Sequence, residues 1–157
     1  MLRIVVGVLA GYAAIALFIM ASFTLLWLSL GQERAFYPGT TQVTWSWLAA
    51  SLPLNLLAAA VGGWIAARVS AQRPHSAVLG LIGVLLLLGA WAALSQAVGV
   101  QGDAPPPPPP PEGMGPMDAA RQSVQPLWVA WVLPILGAVG AWFGGSLRLI
   151  QASRAPR

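Results

Sequence analysis

Few residues in this chain are equipped for chemistry. His75 is the only histidine, cysteine is absent, and the acids are four: Glu33, Asp103, Glu112 and Asp118. General acid–base catalysis needs titratable groups within hydrogen-bond reach of one substrate. A metal centre needs several nitrogen, sulfur or carboxylate ligands converging on one point. A single imidazole can neither bracket a haem nor hold a metal alone. Without cysteine, thiolate metal sites, disulfide exchange and iron–sulfur clusters are also excluded. Next to Pro74, His75 reads as a solvated turn residue. No carboxylate pair, Ser-His-Asp set or phosphate-cradling glycine loop is legible. The expectation is a protein that is not an enzyme and binds no cofactor or metal.

The elements that carry these residues explain why they stay apart. The chain has 157 residues, of which 57% are hydrophobic and 8% charged. A soluble domain carries about 25% charged residues. Four apolar runs, at about 4–30, 45–67, 77–100 and 127–147, contain no Asp, Glu, Lys, Arg or His. A bilayer core needs about 20 helical residues, and each run reaches that length. The fold expected is all-α, a membrane four-helix bundle forming one domain over 1–157. The first run is too long, and ends too bulkily at Leu25-Leu26-Trp27-Leu28, for a signal peptide.

Arginine supplies all eight cations. Arg3, Arg68, Arg73, Arg148, Arg154 and Arg157 fall at the chain ends and in the turn between the second and third runs. Arg34 and Arg121 share the other two loops with every acid. The positive-inside rule then places both termini in the cytoplasm, N-in/C-in, with the loops 31–44 and 101–126 external. The short turn 68–76 makes the second and third helices antiparallel neighbours. The richness in alanine, glycine, proline and arginine suggests a GC-rich bacterial genome, and so the inner membrane. A sequence pI near 11.2 could suggest nucleic acid. The cations are scattered, however, without a basic stripe interleaved with aromatics, and no nucleic-acid partner is expected.

Tryptophan supports this frame. Trp27, Trp45, Trp47, Trp128 and Trp131 fall near the external helix ends, where indole prefers the headgroup level. Trp64 and Trp142 lie toward the inner ends, and Trp91 is expected to pack between helices. The loop 101–126 carries seven consecutive prolines, Pro105–Pro111. Such a run forms a stiff polyproline II rod at about 3.1 Å per residue. It reads as a spacer, or as a docking strip for an aromatic-lined groove.

Within the spans the informative residues are small. On the second helix Ala58, Gly62 and Ala66 form one stripe, and Ala59, Gly63 and Ala67 another. The fourth apolar helix repeats the device with Gly140 and Gly144, and with Ala141 and Gly145. The first helix has Gly7 and Gly11; the third has Gly89 and Ala93. Helices in lipid associate by close packing of such faces, either inside one bundle or between copies. Pro53 and Pro134 each remove a helical hydrogen bond, freeing the carbonyls of Ala49 and Ala130. Asn55, one turn inward, is the most polar residue within a span. These three residues mark the expected position of a small polar pocket. Ala60-Val61-Gly62-Gly63-Trp64 also resembles Ala138-Val139-Gly140-Ala141-Trp142, a weak signal of a parallel repeat.

The helix ending Gly62-Gly63-Trp64-Ile65-Ala66-Ala67-Arg68, the short basic turn with His75, and the close of the last helix on Gly144-Gly145 before Arg148 resemble families of small uncharacterised bacterial integral membrane proteins. The resemblance covers the helices and not the proline loop. It implies a four-helix membrane protein and carries no activity. The function expected is a non-enzymatic packing or interaction module. Its partners would be the lipid bilayer and either a second copy or a larger membrane protein. A small oligomeric transporter or channel for a neutral or small solute is the alternative, with water reaching Asn55. A lipid-directed enzyme would have only Glu33, Arg34, Thr40 and Thr41 at its disposal.

Overall fold

The computed structural model describes residues 1–100 and 115–154. The proline run Pro105–Pro111, with Asp103 and Glu112, lies outside the described residues. Among the described residues five helices occur in chain order: α1 (Leu2–Ala35), α2 (Trp45–Val69), α3 (Pro74–Val100), α4 (Pro116–Gln122) and α5 (Leu127–Arg154). Four of them, all but α4, are long and apolar enough to cross a membrane. The protein is an all-α, multi-pass membrane bundle. Among the described residues the extended structure amounts to two isolated bridges, Phe36 with Val43 and Gln42 with Val124.

The helix ends follow from local chemistry. Gly31 adopts φ 72° and ψ 172°, breaking the regular path of α1 before its last turn. This backbone region is essentially restricted to glycine. Pro38 and Gly39 then fill the middle of a tight turn, with Gly39 at φ 70° and the Thr40 amide donating to the Tyr37 carbonyl at 3.1 Å. Proline followed by a positive-φ glycine is the type II pattern. Thr44 caps α2: its hydroxyl accepts from the Trp47 amide at 3.2 Å and donates to the Arg34 carbonyl at 2.5 Å. At the other end of α2, the Ser70 amide bonds to Ala66 and the Arg73 amide to Ser70, and Pro74 opens α3. Proline suits a first helical position, where its missing N–H has no helical partner to lose. Exposed His75 is therefore in the first turn of α3 rather than in a loop.

One end of the bundle holds the N-terminus, the α2–α3 turn and the C-terminal end of α5; we call it the basic end. The other, the cap end, holds residues 36–44 and 115–126. The helix α4 sits in the cap, inside what the sequence presents as one long loop. Its signals are local and short: Pro116 at the start, Asp118 in the first turn and Arg121 in the last, the charge order that a helix dipole favours. A helix of this length is not stable alone. It is held by Ala119, which is buried in the core of the cap.

The small residues decide the packing. The two stripes on α2 face different partners. Gly62 and Ala66 meet α1, where a methyl group added at Gly11 would lie 2.7 Å from the Gly62 carbonyl oxygen and 2.9 Å from the Ala66 Cβ. Gly7 lies against Ser70 and Ala66, and the Ser70 hydroxyl donates to the Arg3 carbonyl at 2.7 Å. Gly63 faces the backbone of Ala141 on α5, and Gly144 that of Ala60. A methyl at Gly140 would lie 2.6 Å from the Leu56 carbonyl oxygen, and one at Gly145 2.6 Å from Val78 on α3. With Gly89, which lies against Pro134 of α5, all eight glycines singled out in the sequence thus face another helix of the same chain.

The bundle order is α1, α2, α5, α3. The most extensive contacts join α2 to α5, α1 to α2, and α3 to α5. Contact between α2 and α3 is much smaller, so these sequential helices are not the close neighbours that their short turn suggests. Instead α2 and α5 run parallel. Trp45 stacks on Trp128 at the cap end, Leu56 and Ala60 lie beside Gly140 and Gly144 in the middle, and Trp64 reaches Gln151 at the basic end. The suggested repeat is not kept in detail: Pro53 is exposed, whereas Pro134 packs on Gly89 of α3.

Candidate functional site

The polar pocket is expected in the cap-end halves of α2 and α5, which carry Pro53 and Pro134. Asn55 donates to the Ser51 carbonyl of its own helix at 2.9 Å. That bond satisfies part of the amide locally. Asn55, Pro53 and Pro134 line neither of the two clefts found in the cap. The structure does not gather these three residues around a common space.

The main cleft lies between α1, the start of α2 and α4, and has a volume of about 260 Å³. Its wall on α1 includes Ile19, Met20, Phe23 and Trp27; its other walls include Phe36, Val43 and Trp47, and Met117 and Ala120 of α4. The spacing of Ile19, Phe23 and Trp27 is one helical turn each, so they share a face. The turn at Gly39 folds Phe36 and Val43 together across their bridge, and Phe36 then reaches Trp27. The aromatic rings interlock: Trp27 meets Phe36 at 5.8 Å and Trp47 at 6.2 Å edge to face, and Phe23 meets Trp47 at 5.9 Å in a tilted pair. Such pairs contribute about 0.5–1.5 kcal/mol each beyond area burial. Trp27 is therefore buried, 7% exposed, and is not part of a lipid-facing belt. Trp91 departs from expectation in the opposite sense: at 73% exposure it faces outward rather than packing between helices.

Polar groups are few at the cleft: Thr24, Ser123 and Gln125, with no ionisable side chain in the lining. Segment 123–126 is fixed by three hydrogen bonds, two with residues 41–43 and one from α3. The Val43 amide donates to the Val124 carbonyl at 3.2 Å, and the Val124 amide donates to Thr41 at 2.9 Å. Gln96 of α3 donates to the Gln125 carbonyl at 3.0 Å. Thr41 is buried, and its hydroxyl has no hydrogen-bond partner among the described residues. A buried hydroxyl left so costs about 1–3 kcal/mol.

The chemistry of the cleft is that of an apolar receptor. It offers hydrocarbon and aromatic surface with a few hydrogen-bonding groups, and no acid, base or nucleophile pair. Among the described residues no group of His, Cys, Asp or Glu could hold a metal. The sequence contains all the aromatic residues of the cleft, but nothing in their spacing joins residues 23–47 to α4. The hint that could have been read was the proline, acid, arginine order of α4 itself.

The chain matches no protein-family model, no curated protein and no solved structure.

Proposed function

We propose that this is a non-enzymatic interaction module of a bacterial inner membrane, oriented with both termini in the cytoplasm. Its cap end is the recognition end, and a larger membrane protein is its partner. The observation that carries the proposal is the aromatic, charge-free cleft beneath α4. The small-residue faces are consumed inside the bundle, so they are not the surface through which the chain meets a partner. The cleft by contrast is open, and Met20, Thr24 and Met117 on its rim are exposed. Asn55 is bonded to its own helix, which disfavours a polar route through the spans.

A photo-crosslinking residue at Met117 or Met20 tests this, with Leu87 on the exposed face of α3 as control. A discrete protein adduct at the cleft positions, absent at Leu87, is the expected result. Adducts to lipid alone at all three positions would overturn the proposal. Orientation is tested separately: a reporter fused after Arg157 should be active only in its cytoplasmic form. One inserted in 101–114 should be active only in its external form. The opposite pair of results would overturn the N-in/C-in orientation.

A further inference from the structure

We propose that the basic end carries a site for the headgroup of an anionic phospholipid, formed between α2 and α5 by Arg68, Arg148, Trp64 and Gln151. The two helices run parallel and touch backbone to backbone where Gly144 meets Ala60. Helical spacing then places the residues beyond that contact. Trp64 and exposed Arg68 lie one and two turns beyond Ala60, at the outer edge of the face turned to α5. Arg148 lies one turn beyond Gly144 on the face turned to α2, with Gln151 about a turn further. The contact Trp64 Nε1 to Gln151 Oε1, at 3.2 Å, closes this pair of faces. The Arg68 guanidinium sits over the Trp64 ring, 5.0 Å from its centroid. Arg148 is half-buried.

Two guanidinium groups thus border one seam, and among the described residues no acid pairs with either of them. Glu33 and Asp118, the acids among the described residues, belong to the cap end, a span of α2 away, on the order of 35 Å at 1.5 Å per residue. Arg68 partly offsets the negative dipole at the end of α2; Arg148 stands well before the end of α5 and gains less. A phosphate would complete the charge. Guanidinium forks match phosphate oxygens two by two, and indole favours headgroup depth. Basic pockets between membrane helices bind anionic lipid headgroups. The flanking residues Val69, Leu147 and Ile150 are exposed and apolar. They provide a surface for acyl chains, which selects a phospholipid over free phosphate.

The test is retention of added lipid by the full chain in mild detergent, read by native mass spectrometry. Phosphatidylglycerol, phosphatidylcholine and inorganic phosphate are compared. Orientation plays no part in this assay, so its failure is distinct from failure of the topology fusions. Phosphatidylglycerol is expected to be retained in preference to the other two. Changing Arg68→Gln and Arg148→Gln together should weaken that retention about 30-fold, or about 2 kcal/mol at 1.4 kcal/mol per tenfold, from about fivefold per arginine. Arg3→Gln with Arg73→Gln removes the same charge elsewhere and should leave retention nearly unchanged. If the first pair fails to fold, either single change is read instead, with a loss of about fivefold expected. Equal retention of phosphatidylcholine, stronger retention of inorganic phosphate, no loss on changing Arg68 or Arg148, or an equal loss in the control pair would each overturn the site.

Discussion

Replacing Gly144 with alanine should loosen the seam that organises the bundle. The new methyl would point at the Ala60 backbone, lying 2.6 Å from its carbonyl carbon and 2.8 Å from its Cα, where ordinary contact begins near 3.4 Å. The carbonyl oxygen would be closer still. The obstacle is backbone, so it cannot turn aside as a flexible side chain would. The α2 and α5 backbones must part locally by more than an ångström. Overpacking of this kind costs about 1–3 kcal/mol, enough to shift a folding equilibrium roughly tenfold to a hundredfold at 1.4 kcal/mol per tenfold. Helix propensity works the other way, since alanine gains up to about 1 kcal/mol over glycine. An obstacle made of backbone puts the overpacking cost at the upper end of its range, so the net loss expected is about 1–2 kcal/mol. Gly83→Ala isolates the propensity term, because a methyl there would meet nothing within 4 Å. It should be neutral or slightly stabilising. Gly63→Ala opens the same gap against Ala141, so the double variant Gly63→Ala with Gly144→Ala should cost less than the two separate losses combined. Detergent-induced unfolding followed by tryptophan fluorescence reads all four variants beside the wild type. Unfolding of Gly144→Ala together with the wild type, or equal damage from Gly83→Ala, would refute the reasoning.

Gly31→Ala should lose about 1–3 kcal/mol through backbone strain, although its surroundings are open, because φ there is 72°; thermal unfolding measures it. Thr44→Ala should cost about 1 kcal/mol by removing the cap of α2, with Thr44→Ser retaining most of it in the same assay. Thr41→Val should be neutral or stabilising, since it replaces a hydroxyl that lacks a partner with a methyl of similar shape; a clear loss of stability would show that the hydroxyl is satisfied. Asn55→Leu should change stability by less than about 1 kcal/mol, in the range measured for single intramembrane hydrogen bonds. A large loss by denaturant titration would show that its amide joins helices rather than bonding within α2.

The information legible along the chain is one-dimensional. Length, hydropathy and the absence of charge located all four spans, because spanning a bilayer depends on composition and length along a single segment. The arginine partition set apart the two ends of the bundle. The paired stripes Gly62/Ala66 and Gly63/Ala67 were legible because close approach in lipid requires small residues at helical spacing. Their assignment was not. In a span apolar on every side, no polar face marks the outside, so the packed bundle alone assigns one stripe to α1 and the other to α5. For the same reason hydropathy could not tell Trp27, buried in the cap, from Trp91, exposed on α3. The order α1, α2, α5, α3 and the closure of an aromatic cleft beneath α4 depend on contacts between distant segments. So does the reach of Trp64 on α2 to Gln151 on α5, beyond the point where Gly144 touches Ala60. No local pattern encodes these juxtapositions.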